Sequence, residues 1–143
     1  MAINQEIYQI MEKCTISVDY NTFKTITDVL VQDIRTVFSS IRRENISELE
    51  HVEILTRRLL DRFVIIYYGN SDIFLPFGNV THYLEIISLV VFWIVTKLHL
   101  DYDECITLSD IREKYPKYCG KTLVEIERKI LSTLQYELYW LMV

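Results

Sequence analysis

The sequence predicts an all-α domain, and three observations carry that prediction. Chain-breakers are scarce: 143 residues include 3 glycines and 2 prolines, whereas an all-β sandwich spends many more on its turns. Apolar residues recur at steps of three and four over long stretches, the period of one helix face. Two Ser/Thr-x-x-Glu runs, Ser47-Glu48-Leu49-Glu50 and Thr122-Leu123-Val124-Glu125, open such stretches as capping boxes. The length is that of one domain of roughly 150 residues. A chain of this size buries about two thirds of the surface it exposes when unfolded, so it needs neither disulfides nor a structural metal. Hydrophobic residues make up 50% of it, which excludes an intrinsically disordered chain.

The elements follow in order. A short leading helix is expected around Gln5 to Lys13, with Ile7, Ile10 and Met11 on one side. A long helix follows from about Thr22 to Arg43, with the stripe Phe23, Ile26, Leu30, Ile34, Val37, Phe38 and Ile41. The Ser47 capping box starts a second helix that runs to about Tyr68 and buries Val52, Leu55, Leu59, Leu60, Phe63 and Ile66. Gly69-Asn70-Ser71-Asp72 ends it, and Pro76 and Gly78 keep the next connection irregular. A third helix, about Val80 to Leu98, is apolar almost throughout and should be central. Thr107 opens a short fourth helix to about Lys114, broken at Pro116. The Thr122 capping box opens a fifth, ending near Tyr136. No sheet is expected. Alanine occurs once, at Ala2, so packing rather than propensity must hold these helices.

Charge and cysteine content narrow the function classes. The formal charge is −5, from 15 basic and 20 acidic residues. That argues against broad electrostatic binding of nucleic acid, which needs a basic surface. Cys14, Cys105 and Cys119 are odd in number and widely spaced, a poor disulfide or zinc framework. They read as reduced thiols of the cytoplasm or nucleus. The N-terminus has no signal-peptide character. The longest apolar stretch, Ile86 to Val95, interrupted only by Ser88, is well short of the ~20 residues a membrane span needs. No membrane association, metal site or cofactor is expected. His51, His82 and His99 form no H-E-x-x-H, and neither a phosphate loop nor G-x-S-x-G occurs, so an enzyme is not expected.

The informative anomalies are charges within apolar stripes. Glu127 sits among Leu123, Ile126, Ile130, Leu131 and Leu134, where a carboxylate is costly without a partner. Lys97 ends the most apolar helix, one turn beyond Trp93 and Ile94. The two could pair with each other, the lysine could snorkel to water, or both could be held for a partner's backbone. Asp61, between Leu60 and Phe63, would want a basic partner, and Lys24 is a candidate. A structural salt bridge is the plainer reading of that pair.

These residues resemble a known family. Val95-Thr96-Lys97, a loop with Asp101 and Asp103, Thr107-Leu108-Ser109-Asp110-Ile111, and the run from Leu123 to Leu138 resemble the cyclin box. Cyclins carry A-S-K at the end of the third box helix and a later L-x-M-E-x-x-I-L-x-x-L-x-[FY]-[DE]-L helix. Leu60-Asp61-Arg62-Phe63 looks like their [IL]-D-R-[FY], and Phe23-Lys24-Thr25-Ile26 stands where they have M-R-x-[IL]. The resemblance spans about residues 20 to 140. It implies a five-helix box over 20–143, preceded by a helical segment over 1–19, that binds and activates a cyclin-dependent protein kinase. Lys97 and Glu127 fall where the family grips the kinase αC region, whose position controls activity. Exposed apolar residues of the third and fifth helices would add buried area. Lys24 and Asp61 fall on the pair that ties the first two box helices. The substrate-docking patch of some cyclins falls on Phe23, Ile26, Thr27 and Leu30, with Asp33 nearby.

The chain also departs from that pattern. The glutamates that commonly follow the lysine are Leu98 and His99, the small residues of the third helix are Val91 and Val95, and Thr27 replaces an aliphatic residue. One box is present where many cyclins have two, a style nearest to single-box or reduced viral or protist versions. An alternative is therefore a cyclin-fold adaptor or decoy that binds a protein partner without activating a kinase. A further alternative is an unrelated helical bundle that self-associates through Tyr139-Trp140-Leu141-Met142-Val143.

Overall fold

The structure is a computed structural model and describes residues 16–18, 20–39, 46–68, 73–75, 80–99 and 106–135. The fold is all-α. Among the described residues five helices occur: α1 (Tyr20–Ser39), α2 (Ile46–Tyr68), α3 (Val80–His99), α4 (Leu108–Lys114) and α5 (Gly120–Thr133). The expected leading helix and the Tyr139–Val143 tail lie outside the described residues.

α3 is the axis of the domain. Every residue from Ile86 through Thr96 is buried, and α1, α2 and α5 all pack on it. Each fully buried Val, Ile, Leu or Phe is worth about 1.5–3 kcal/mol relative to exposure. Val91 and Val95 are enclosed completely. Phe92 stacks on Phe38 of α1, ring centroids 5.9 Å apart, and Phe38 in turn meets Tyr115 after α4.

Three buried threonines satisfy their hydroxyls on their own helices. Thr27 donates to Phe23 O at 3.0 Å, Thr56 to Val52 O at 2.7 Å and Thr96 to Trp93 O at 2.7 Å. This back-bonding lets a polar residue sit in a core stripe without an orphaned donor.

One expectation fails: a small sheet is present. β1 (Ile16–Val18) pairs antiparallel with β2 (Ile73–Leu75), in the register Ile16↔Leu75, Ser17↔Phe74 and Val18↔Ile73. Both strands are three residues long, too short to show an alternating pattern, though β-branched and aromatic residues favour the extended form. The ladder ties the end of the 1–19 segment to the α2–α3 connection.

Two of the expected helix starts also move. α2 has already begun at Ile46, so Ser47 lies inside its first turn. α5 begins at Gly120, with Cys119 as its N-cap and no side-chain cap bond. Thr122 is instead buried against the core. The expected start of α4 holds. Thr107 accepts from Asp110 N at 3.1 Å, and the Asp110 carboxylate accepts from Thr107 N at 3.0 Å, a reciprocal capping box. α5 stops where Gln135 takes a positive φ of 56°, the left-handed turn that commonly ends helices.

No helix among the described residues is long and apolar enough to cross a membrane. Two stability effects follow from this packing. Phe92→Ala should cost about 3–5 kcal/mol, because a completely enclosed ring leaves a cavity that α1 cannot fill. Thr107→Ala should cost about 1 kcal/mol through the lost α4 cap. Urea unfolding followed by far-UV circular dichroism measures both, and a Phe92→Ala loss no larger than the Thr107→Ala loss would contradict the central place of α3.

Candidate functional site

α3 emerges from the core at its last turn. Trp93 is still buried, while Lys97, one turn later, is 38% exposed. α5 brings Glu127 to the same place, with its side chain 14% exposed. The Lys97 ammonium donates to the Glu127 carboxylate across 30 positions of sequence. The two charges that interrupt their apolar stripes are therefore partners.

The ammonium also lies over the Trp93 ring, 3.9 Å from its centroid, within range of a cation–π contact. The indole is fixed in turn: its Nε1–H donates to Ile106 O at 3.1 Å, and Ile106 is itself buried just before α4. Chemically the cluster is a donor and an acceptor set side by side. A carboxylate accepts several hydrogen bonds and an ammonium donates three, so both keep capacity beyond their mutual bond.

Lys24 and Asp61 also meet, at 3.7 Å, linking α1 to α2. Their side chains are 46% and 31% exposed, so the pair is a surface contact of small energetic weight. Asp61 has a second partner in Tyr20. Burial, and then the hydrogen bond to Asp61, push the Tyr20 phenol up to about 12. The same seam continues with Arg57 near Asp28 at 3.2 Å, and with Arg35 and Arg57 on Glu53 at 3.0 and 3.3 Å. The α1–α2 edge is thus a ladder of opposite charges.

The expected docking patch is mostly not a surface. Phe23 is 2% exposed and belongs to the core, and Thr27 is buried beside it. Ile26 and Leu30 are half-buried against the core, and Asp33 is exposed. Phe23 cannot offer its ring to a peptide without opening the α1–α3 packing.

The expected apolar surface on the third and fifth helices is also corrected. α3 is enclosed from Ile86 to Thr96, and Leu98 is half-buried against the core. On α5, Val124 and Leu131 are half-buried. The large apolar residues most exposed among those described are Tyr20 and Val29 on α1 and Ile54, Ile65 and Ile66 on α2. Ile66 therefore faces solvent, although the sequence places it in the α2 stripe.

Two clusters were not evident in the sequence. The first is built on α3's early half. The Tyr118 hydroxyl donates to Glu85 at 2.6 Å, and Lys117 meets the same carboxylate at 2.7 Å. Tyr115 stacks on Tyr118. Burial raises both phenols, Tyr115 to about 12 and Tyr118 higher still through Glu85. Both stay protonated, and the cluster pins the α4–α5 connection to α3.

The second cluster is a histidine pair. His51 of α2 and His99 of α3 meet edge to face, centroids 5.8 Å apart. His99 Nε2 is enclosed without a hydrogen-bond partner. Burial, and then the neighbouring His51, hold the His99 imidazole below its ordinary 6.5. The spacing of 48 residues hides such a pair from any local motif. Among the described residues no three His, Cys, Asp or Glu side chains converge to hold a metal ion. A shallow cleft of about 660 Å³ along α4, lined by Leu108, Ser109, Arg112, Glu113 and Pro116, shares no residue with the Lys97–Glu127 cluster.

No family model, curated protein or solved structure matches the chain.

The depressed His99 value sets a pH dependence. Above 6.5 the imidazole is neutral in both folded and unfolded chains and contributes nothing to the pH slope. As pH falls below 6.5 the unfolded chain takes the proton first, so stability falls through the window from 6.5 down to the folded-state value. His99→Gln should remove this component. His51→Gln should shrink it by removing the like charge. Thermal melts of the three proteins across neutral and mildly acidic pH check the sign, and identical slopes for wild type and His99→Gln would refute it.

Proposed function

We propose that this protein is a cyclin-like regulatory subunit that binds and activates a cyclin-dependent Ser/Thr protein kinase by holding its αC helix in the active position. The observation that carries the reading is the meeting of Lys97 and Glu127 at one surface, from the end of α3 and the middle of α5. The cyclin resemblance assigns kinase contact to those two positions, and no local feature of the sequence requires them to meet. Lys24–Asp61 supports it as a second long-range pair named by the same resemblance. Five helices around an apolar third helix agree with the architecture of a single box.

The mechanism is positional. The chain does no chemistry in this reading. Lys97 would donate to carbonyls of the kinase segment and Glu127 would accept from its N–H groups, charge-assisted bonds stronger than neutral ones. Holding αC inward preserves the kinase's own Lys–Glu ion pair, on which phosphoryl transfer depends. The half-buried Leu98, Val124 and Leu131 beside the pair would supply apolar contact.

One observation favours a second reading, an adaptor or decoy that binds a protein partner without activating a kinase. The positions after Lys97, commonly acidic in cyclins, hold Leu98, packed on the core, and His99, packed on His51. Neither offers an added negative charge to a kinase.

Glu127→Ala and Lys97→Ala should each weaken binding to a cyclin-dependent kinase by about 2 kcal/mol or more, roughly 30-fold. Folding should change little, because the pair is partly exposed. Calorimetric titration against a recombinant kinase reads the affinity, and unchanged affinity in both variants would sink the kinase reading. Phosphorylation of a histone-type substrate with and without the chain separates the two readings: binding without stimulation selects the adaptor.

A further inference from the structure

The Lys97–Glu127 pair does not stand alone on the surface. Trp93 lies one turn before Lys97 on α3, and its ring is the platform on which the ammonium rests, 3.9 Å from the centroid. We propose that Trp93 is the positioning residue of this site: its indole, pinned through Nε1 to the Ile106 carbonyl, holds the Lys97 ammonium against Glu127 and fixes the direction in which both charges face a partner. The proposal rests on the reading of Lys97 and Glu127 as a partner-binding site.

The physical need is plain. A lysine side chain has a flexible four-carbon stem and a strongly hydrated head, so an exposed one samples many rotamers. Ordering it at the moment of binding weakens the complex, and a preorganised group avoids that loss. Tryptophan is the best aromatic ring for a cation, because its face carries the largest negative potential. Here the ring cannot turn away. It is 7% exposed, and its only N–H is committed to the carbonyl of a buried residue. Leucine at this position would pack against the lysine stem equally well but would offer the ammonium no charge complement.

Trp93 thus joins three elements. It belongs to α3, it holds the chain just ahead of the α4 cap at Thr107, and through Lys97 it reaches α5. An ammonium set over a ring on one side and on a carboxylate on another keeps donor capacity beyond its bond to Glu127. Glu127 likewise keeps acceptor sites beyond the one Lys97 uses. The pair presents one donor and one acceptor edge, a match for a segment of partner backbone.

The test has two arms. In the first, NMR of the free chain reads the Lys97 ε-methylene protons, which the indole ring current should shift upfield. Trp93→Leu should return them to ordinary lysine values, and Trp93→Phe should keep part of the shift. In the second, binding to an immobilised recombinant cyclin-dependent kinase is compared across variants. Trp93→Leu should bind about 5- to 30-fold more weakly, and Trp93→Phe within a few-fold of wild type.

Unshifted Lys97 protons in the wild-type chain overturn the proposal. So does a folded Trp93→Leu variant that binds like wild type while Lys97→Met loses binding. Wild-type affinity in both Lys97→Met and Glu127→Gln overturns the partner-site reading itself, a result the free-chain NMR arm does not depend on. Where Trp93→Leu fails to fold, the wild-type shift and the Trp93→Phe variant decide.

Discussion

The enclosure of α3 is the constraint on which the rest of the molecule depends. Because every residue from Ile86 through Thr96 is buried, the helix needs neighbours around its whole circumference, and α1, α2 and α5 supply them. The same enclosure decides where α3 can meet another molecule. Its flanks are closed from Ile86 to Thr96, and the first exposed side chain beyond that stretch is Lys97. Hydrophobic burial leaves residues 86–96 of the central helix no free face. Glu127 follows from a similar logic. α5 turns Leu123, Ile126 and Ile130 to the core, and a residue at position 127 then falls on the border of that face, partly shielded and within reach of α3.

Much of this was legible in the sequence, for a definite reason. Periodicity reports which face of a helix is buried, and a charge that breaks the period is therefore visible without a structure. Lys97 and Glu127 both break it, and Asp61 does so more weakly. The boundaries of α3 and α4 could be read because their signals are local: an apolar run, a capping box at Thr107 and a proline at position 116. What could not be read depends on distance or on competition. The β1–β2 ladder joins segments more than fifty residues apart through strands too short to alternate. The His51–His99 pair and the Glu85–Tyr118 bond are likewise products of packing. At Thr122 a capping signal competed with burial and lost: the threonine went to the core, and the N-cap of α5 falls three residues earlier, at Cys119.

The charged contacts differ in kind, and exposure decides their weight. The ladder along the α1–α2 edge, from Lys24–Asp61 to Arg35–Glu53, repeats opposite charges between antiparallel helices. Each rung is partly solvated and worth little alone, but together the rungs disfavour a slip of one helix along the other, since each slip would bring like charges together. Lys97–Glu127 is different in surroundings. Its carboxylate is shielded and its ammonium has an aromatic platform, so the pair is oriented in a way the ladder is not. An oriented, partly shielded pair suits recognition better than stability, because its hydrogen-bonding capacity is not exhausted by the internal bond.

The distribution of apolar surface bears on what such recognition would require. Among the described residues the most exposed isoleucines lie on α2, and the faces of α3 and α5 beside Lys97 are closed or half-closed. A partner at the Lys97–Glu127 site would find a small apolar rim, from Leu98, Val124 and Leu131, around an oriented polar centre. An interface of that make-up draws little from area and much from the geometry of a few charge-assisted bonds. Affinity would then depend steeply on how well the two charges are held before contact. For such a partner, that dependence would give the buried indole beneath Lys97 more weight than its small exposed area suggests.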